Sequence, residues 1–236
     1  MSALLRRLSL LALLPAATLA GCQPEAAETP AAAPAPEVAA LPDCNGPGAE
    51  AFGPTGDADC RLVAPGETGL GADVHYEGAK DGPLELTLTL SANGTIIQTI
   101  RETTEFTFNL PLFEDLDSDG RAELLVPLMT GNVNTTFAVW RGKDGEPQFE
   151  RAGEVAGIDV VAFSDGMFVT PARSSAASWG TTYYIFEDNK VAPVVTAENT
   201  LGEDGETETC TVVDEGGLAE IGLSLDEAQV KFCAEE

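Results

Sequence analysis

The sequence predicts an all-β protein, an antiparallel meander of the sandwich or propeller-like kind, with one short helix at its C-terminal end. Three observations carry that expectation. Apolar residues recur at every second position, turn dipeptides separate those runs, and a single helix signature stands near the end of the chain.

The first strand runs from Leu84, where Leu84, Leu86, Leu88 and Leu90 alternate with Glu85, Thr87, Thr89 and Ser91. Such a period of two puts every leucine on one face. Asn93-Gly94 follows, a pair that tolerates the positive backbone angles of a tight hairpin, and residues 95–100 supply the return strand. Phe106, Phe108, Leu110 and Leu112 repeat the alternation. Further strands are predicted at 124–129, 135–141, 158–163, 167–170, 181–187 and 190–195. Asp144-Gly145, Asp165-Gly166 and Asp188-Asn189 serve as turns between them. Pro111 and Pro127 mark edges or bulges, because proline cannot donate to a sheet ladder. Ser224 with Glu227 three residues on is a capping box, which places the helix at Leu225–Phe232.

The start of the chain has a different character. Arg6 and Arg7 precede an apolar stretch, Leu8 to Leu14, that is too short to span a bilayer, and Leu19-Ala20-Gly21 leads into Cys22. This pattern resembles a bacterial lipoprotein signal. The resemblance implies that residues 1–21 are removed and that Cys22 becomes a lipidated first residue, an effectively permanent membrane anchor. The alternative is an ordinary secreted protein with a cysteine after its leader. Gln23 stands where an aspartate would signal inner-membrane retention, so the expected location is the outer membrane, facing the periplasm. Residues 22–43 are rich in Ala, Pro and Glu and form the anchor and linker, able to reach about 60 Å at roughly 3.1 Å per residue. Residues 44–236 form the predicted β domain.

The full chain has 12 basic and 39 acidic residues, a formal charge of −27. Removing the leader takes away Arg6 and Arg7 and no acid, which makes the charge −29. That balance excludes nucleic acid as a partner and favours cations or a basic protein. Four cysteines remain after Cys22, namely Cys44, Cys60, Cys210 and Cys233. In an oxidising envelope they read as two disulfides. Three connectivities are possible, and the local pairs 44–60 and 210–233 are preferred because neither needs a long crossover. The single histidine, His75, has no nucleophile motif beside it, so no enzymatic activity is expected.

Asp115-Leu116-Asp117-Ser118-Asp119-Gly120-Arg121-Ala122-Glu123 is the chemically distinctive segment. Carboxylates at alternate positions followed by glycine can curl around a hard cation, and calcium is the natural occupant. Asp115, Asp117 and Asp119 would offer side-chain oxygens, Arg121 its carbonyl, and Glu123 an oxygen directly or through water. The alternative is a solvated acidic turn. The segment departs from an EF-hand, since Val126 stands at the twelfth position and the flanks read as strands. It resembles instead the strand-loop-strand calcium sites of integrin-type and propeller repeats.

From Leu84 to about Ala197 the order of hairpin, Asp-rich loop, Phe-Val-Trp strand, Ser/Ala loop and Thr182-Tyr183-Tyr184-Ile185-Phe186 is similar to a small family of bacterial envelope β proteins with one calcium loop. Some members of that family inhibit lysozyme-like peptidoglycan hydrolases. The resemblance implies a recognition loop at 173–180. In it Arg173 would pair with a hydrolase carboxylate, Ser174, Ser175 and Ser178 would hydrogen-bond it, and Trp179 would fill a sugar subsite. The family's compact Ser-Gly and Tyr signature is only approximated by Ser178, Gly180 and Tyr183. The expected function is therefore an envelope lipoprotein binding module, directed at a basic partner such as a peptidoglycan hydrolase. The alternative is a structural envelope lipoprotein with no inhibitory activity, in which Trp179 is a core residue.

Overall fold

The computed structural model describes residues 40–46, 59–67, 69–78, 82–105, 109–143, 146–205 and 208–233. The leader, Cys22, the linker up to residue 39, Phe106, Phe108 and the Asp144-Gly145 turn lie outside the described residues. Ala40–Glu236 form one compact unit.

Three antiparallel sheets follow one another along the chain. The first contains β1 (Cys60–Val63), β2 (Leu70–Gly78), β3 (Leu84–Ala92) and β4 (Thr95–Thr104), in that order. The second contains β5 (Leu112–Glu114), β6 (Glu123–Thr130), β7 (Thr135–Gly142) and β8 (Phe149–Gly157), also in chain order. The third runs β13 (Glu208–Asp214), β12 (Lys190–Leu201), β11 (Ser178–Glu187), β10 (Phe168–Arg173) and β9 (Val161–Ala162). Each is a meander. The one described helix, α1 (Leu225–Phe232), carries the capping box, with the Ser224 and Glu227 side chains each accepting from the other's backbone N–H.

The sheets stack as layers, and the burial pattern explains their composition. Leu62, Val74, Leu86, Leu88, Leu90 and Ile100 of the first sheet pack against Leu124, Val126 and Ala138 of the second. Leu125, Phe137, Val139 and Val155 on the other face of the second sheet meet Phe168 of the third, with Tyr184 and Phe186 beside it. The far face of the third sheet, with Tyr183, Val195 and Val212, is covered by Leu218 and by Ala228 of α1. The middle sheet is thus apolar on both faces, which is why Leu124-Leu125-Val126 is a continuous apolar run where β3 alternates.

Side-chain amides tie several strand edges. The Gln98 amide of β4 exchanges two hydrogen bonds with the backbone of Phe149 in β8, at 2.7 and 2.9 Å. Gln229 of α1 accepts from the Val212 N–H at 3.0 Å and donates to the Cys210 carbonyl at 3.0 Å. The two disulfides are Cys44–Cys60 and Cys210–Cys233, with Cα separations of 5.0 and 5.6 Å. These are the local pairs preferred from spacing, and they suit an oxidising, extracytoplasmic compartment. Among the described residues no helix is long and apolar enough to cross a membrane.

Several boundaries differ from those the sequence predicts. The linker was expected to extend to residue 43, yet backbone pairing begins there, since the Pro42 carbonyl accepts from the Arg61 N–H at 2.8 Å and Cys44 N–H donates to the Arg61 carbonyl at 3.0 Å. The strand expected over 158–163 shrinks to β9, because Asp159 Oδ1 takes the Val160 N–H at 2.8 Å and Ile158 N–H turns to the Pro171 carbonyl. Pro127 does sit at a register irregularity of β6 against β7.

Candidate metal centre

The acidic segment connects β5 to β6, so its flanks are strands, as the sequence implies. Two residues let the chain turn. Ser118 has φ 60° and Gly120 φ 88°, and a Cβ at Gly120 would meet nothing within 4 Å, so backbone conformation alone explains that glycine. The carboxylates then organise the loop. Asp115 Oδ2 accepts from Gly120 N–H at 3.0 Å, Asp119 Oδ1 from Arg121 N–H at 2.8 Å, and Glu123 Oε2 from Leu116 N–H at 2.9 Å. Leu116 itself is fully buried between the second and third sheets and anchors the turn from below. Glu67, from the loop after β1, accepts from Ala122 N–H at 2.6 Å.

Asp115, Asp117 and Glu123 each present one carboxylate oxygen within 4.8 Å of the others. Asp119, expected as a fourth ligand, lies outside that group. Its carboxylate is held by Arg121 Nη2 at 2.9 Å and Arg141 Nη2 at 3.1 Å. Arg121, expected to offer its carbonyl, turns its guanidinium back on Asp119. Asp115 Oδ1 is buried and has no hydrogen-bond partner. An unpartnered buried carboxylate oxygen facing two further carboxylates fits a hard cation with oxygen ligands.

Electrostatics follow from burial. Glu123 is only 1% exposed, and loss of hydration pushes its carboxyl up to about 7, against the pull of the Leu116 N–H and Arg141. Burial also raises Asp117, although Arg141 opposes it. For Asp119 burial acts in the same upward direction, but hydrogen bonds from Arg121 outweigh it and the net shift is downward.

Arg141 is the residue that sequence reasoning missed. From the end of β7 its Nη2 pairs with Asp117 Oδ2, and its Nε lies 3.3 Å from Glu123 Oε1. Its guanidinium also lies over the Phe186 ring, 4.4 Å from the centroid, and Nη1 donates to Asn189 Oδ1 at 3.3 Å. The available signal was parity, since Arg141 continues the inward-facing series Phe137 and Val139.

The proposed recognition segment is smaller than expected. Residues 173–180 form not a loop but a hairpin end, because β10 reaches Arg173 and β11 begins at Ser178, leaving a turn of 174–177. Ser174 and Ser175 N–H groups both donate to the Ser178 carbonyl, at 3.1 and 3.0 Å. Arg173 is exposed and pairs in register with half-buried Trp179, its guanidinium 5.3 Å from the ring. Asn134, in the turn between β6 and β7, holds the Arg173 N–H at 3.0 Å and its carbonyl at 2.9 Å. The two turns flank a cleft lined by 131–134 and 173–176. His75 is exposed on β2 with Nδ1 2.8 Å from Asp59 Oδ1.

Fold and site together define a disulfide-clipped antiparallel β protein with an acidic strand-loop-strand turn. No protein-family model matches the chain, and no curated protein matches it. Among solved structures it is similar to a Xanthomonas protein described as related to a type IV secretion system, at 10% identity and TM-score 0.46, over 65% of this chain and 88% of that one.

Proposed function

We propose that this chain is a non-enzymatic lipoprotein of the bacterial envelope, anchored at the outer membrane through Cys22 and facing the periplasm, whose β domain binds calcium and serves as a binding module. One observation carries the calcium reading. Asp115, Asp117 and Glu123 converge within 4.8 Å while Asp115 Oδ1 is buried without a partner. Asp119 contributes by holding Arg121 and completing the negative field. The bound ion would supply two positive charges to a cluster that burial otherwise penalises, and the carboxylates would tie β5 to β6. The partner surface is the hairpin end at Arg173, Ser174, Ser175, Ser178 and Trp179, the first three of which line the cleft between the β6–β7 and β10–β11 turns, and it meets a basic protein such as a peptidoglycan hydrolase.

Calorimetric calcium titration with parallel melting tests the ion. Extracellular calcium modules bind at about 0.1 to 1 mM, and saturation at 100 times the dissociation constant is worth about 2.7 kcal/mol. Chelation should lower Tm by roughly 5 to 10 °C for a domain of this size. Asp117→Ala should abolish that difference, while Asp214→Ala on β13 should keep it. Absence of calcium heat in the wild-type chain would end the reading.

A second reading, a structural envelope lipoprotein with no inhibitory activity, is favoured by the Arg141 network, which already links the second and third sheets through Glu123, Phe186 and Asn189. Partner capture separates the two.

A further inference from the structure

We propose that Arg141 is a tethered competitor for the acidic loop, a cation of the chain itself that occupies the carboxylates while the loop is ion-free and yields them when it is loaded. The inference rests on the calcium reading above. Arg141 reaches Asp117, Asp119 and Glu123 together, and two of these, Asp117 and Glu123, belong to the trio whose oxygens converge within 4.8 Å. The same oxygens cannot fully serve a guanidinium and a divalent ion, because two such cations a few ångströms apart repel strongly in a half-buried site. Arg141 also leaves the cluster incompletely satisfied, since Asp115 Oδ1 stays buried and without a partner.

The arginine has a second set of contacts on a different sheet. Phe186 of β11 lies under the guanidinium, and Asn189 of the β11–β12 turn accepts from Nη1. Neither contact involves a carboxylate, so Arg141 can release Asp117 and Glu123 without becoming a buried, unpaired charge. Two consequences follow. The ion-free chain keeps its fold because an internal cation neutralises the loop, and calcium affinity is lower than the carboxylates alone would give, because that cation must first be moved.

The test compares calcium titrations of the purified full chain with those of Arg141→Met and Arg141→Lys, together with melting in chelator. Methionine keeps an apolar stem against Phe186 and removes the charge. Arg141→Met should bind calcium about tenfold more tightly or better, and its Tm in chelator should fall below that of wild type. Arg141→Lys keeps the charge but cannot fork across three carboxylates, so its affinity should fall between the two. Equal or weaker calcium binding by a cooperatively melting Arg141→Met overturns the inference and leaves the calcium reading standing. Should Arg141→Met fail to fold in chelator, Arg141→Lys decides, and an affinity of that variant no tighter than wild type overturns the inference. Absence of binding by the wild-type chain removes the calcium reading and the inference with it.

Discussion

Glu123 begins β6 with its side chain turned between the second and third sheets, and its carboxyl titrates near neutral pH for that reason. Its folded value of about 7 lies above the ordinary 4.5, so the fold favours the protonated form. The associated stability is complete below the unfolded value and is lost as pH rises through the folded one. In chelator, Tm should therefore decline between about pH 5 and 8, and Glu123→Gln should remove most of that slope. Melting curves across this range check it; a wild-type slope that survives in Glu123→Gln would assign the titration elsewhere. The convergence of Asp115, Asp117 and Glu123 was legible because alternating acids before a glycine form a local pattern, while the same pattern wrongly drew in Asp119. Arg141 was not, since it stands 18 residues beyond Glu123 and meets it only across the β6–β7 ladder.

At the scale of elements, legibility depended on how many faces each strand buries. The alternation of β3 announced a strand with a polar face, and Asn93-Gly94 and Asp188-Asn189 are indeed hairpin turns with positive φ at both residues. The capping box placed α1 because its signal is contained within four residues. By contrast β8, Phe-Glu-Arg-Ala-Gly-Glu-Val-Ala-Gly, reads as polar and irregular. Its Gly153 lies where a Cβ would come within 3.2 Å of Val191 on the next sheet, so close layer packing rather than strand propensity selected that residue. The hairpin end at Arg173 was legible in its residues but not in its shape, because Asn134 from another sheet holds the Arg173 backbone. If that end is the partner surface, Arg173→Ala with Trp179→Ala should weaken a captured partner by about 2 kcal/mol or more, roughly thirtyfold. The calcium-dependent Tm shift should stay intact. Unchanged partner affinity in the double variant would move the surface elsewhere on the domain.

For the whole molecule, the stack of three sheets with α1 over the last explains where the acids go. Among the described residues the clusters between the layers are apolar, and Glu123 is the one acid buried to the same degree. Open sheets also leave outer strands, and on two of them glutamine side chains meet backbone groups. Gln98 meets the outer strand β8 and Gln229 the outer strand β13, where the Cys210–Cys233 bond holds α1 in place, while Asn134 meets the end of the inner strand β10. Replacing Gln229 by alanine together with Cys210→Ser and Cys233→Ser should free the β13 edge and produce concentration-dependent association in sedimentation. Variants with Gln229 intact should associate less, and a triple variant that sediments like wild type would show that another feature guards the edge. A primary amide can present a donor and an acceptor side by side, as the N–H and C=O of one strand residue do, so each of these side chains acts as a single rung of a neighbouring strand. On a membrane, where tethering would confine copies of the chain to two dimensions, the rungs on β8 and β13 would hinder adjacent molecules from pairing along those two edges.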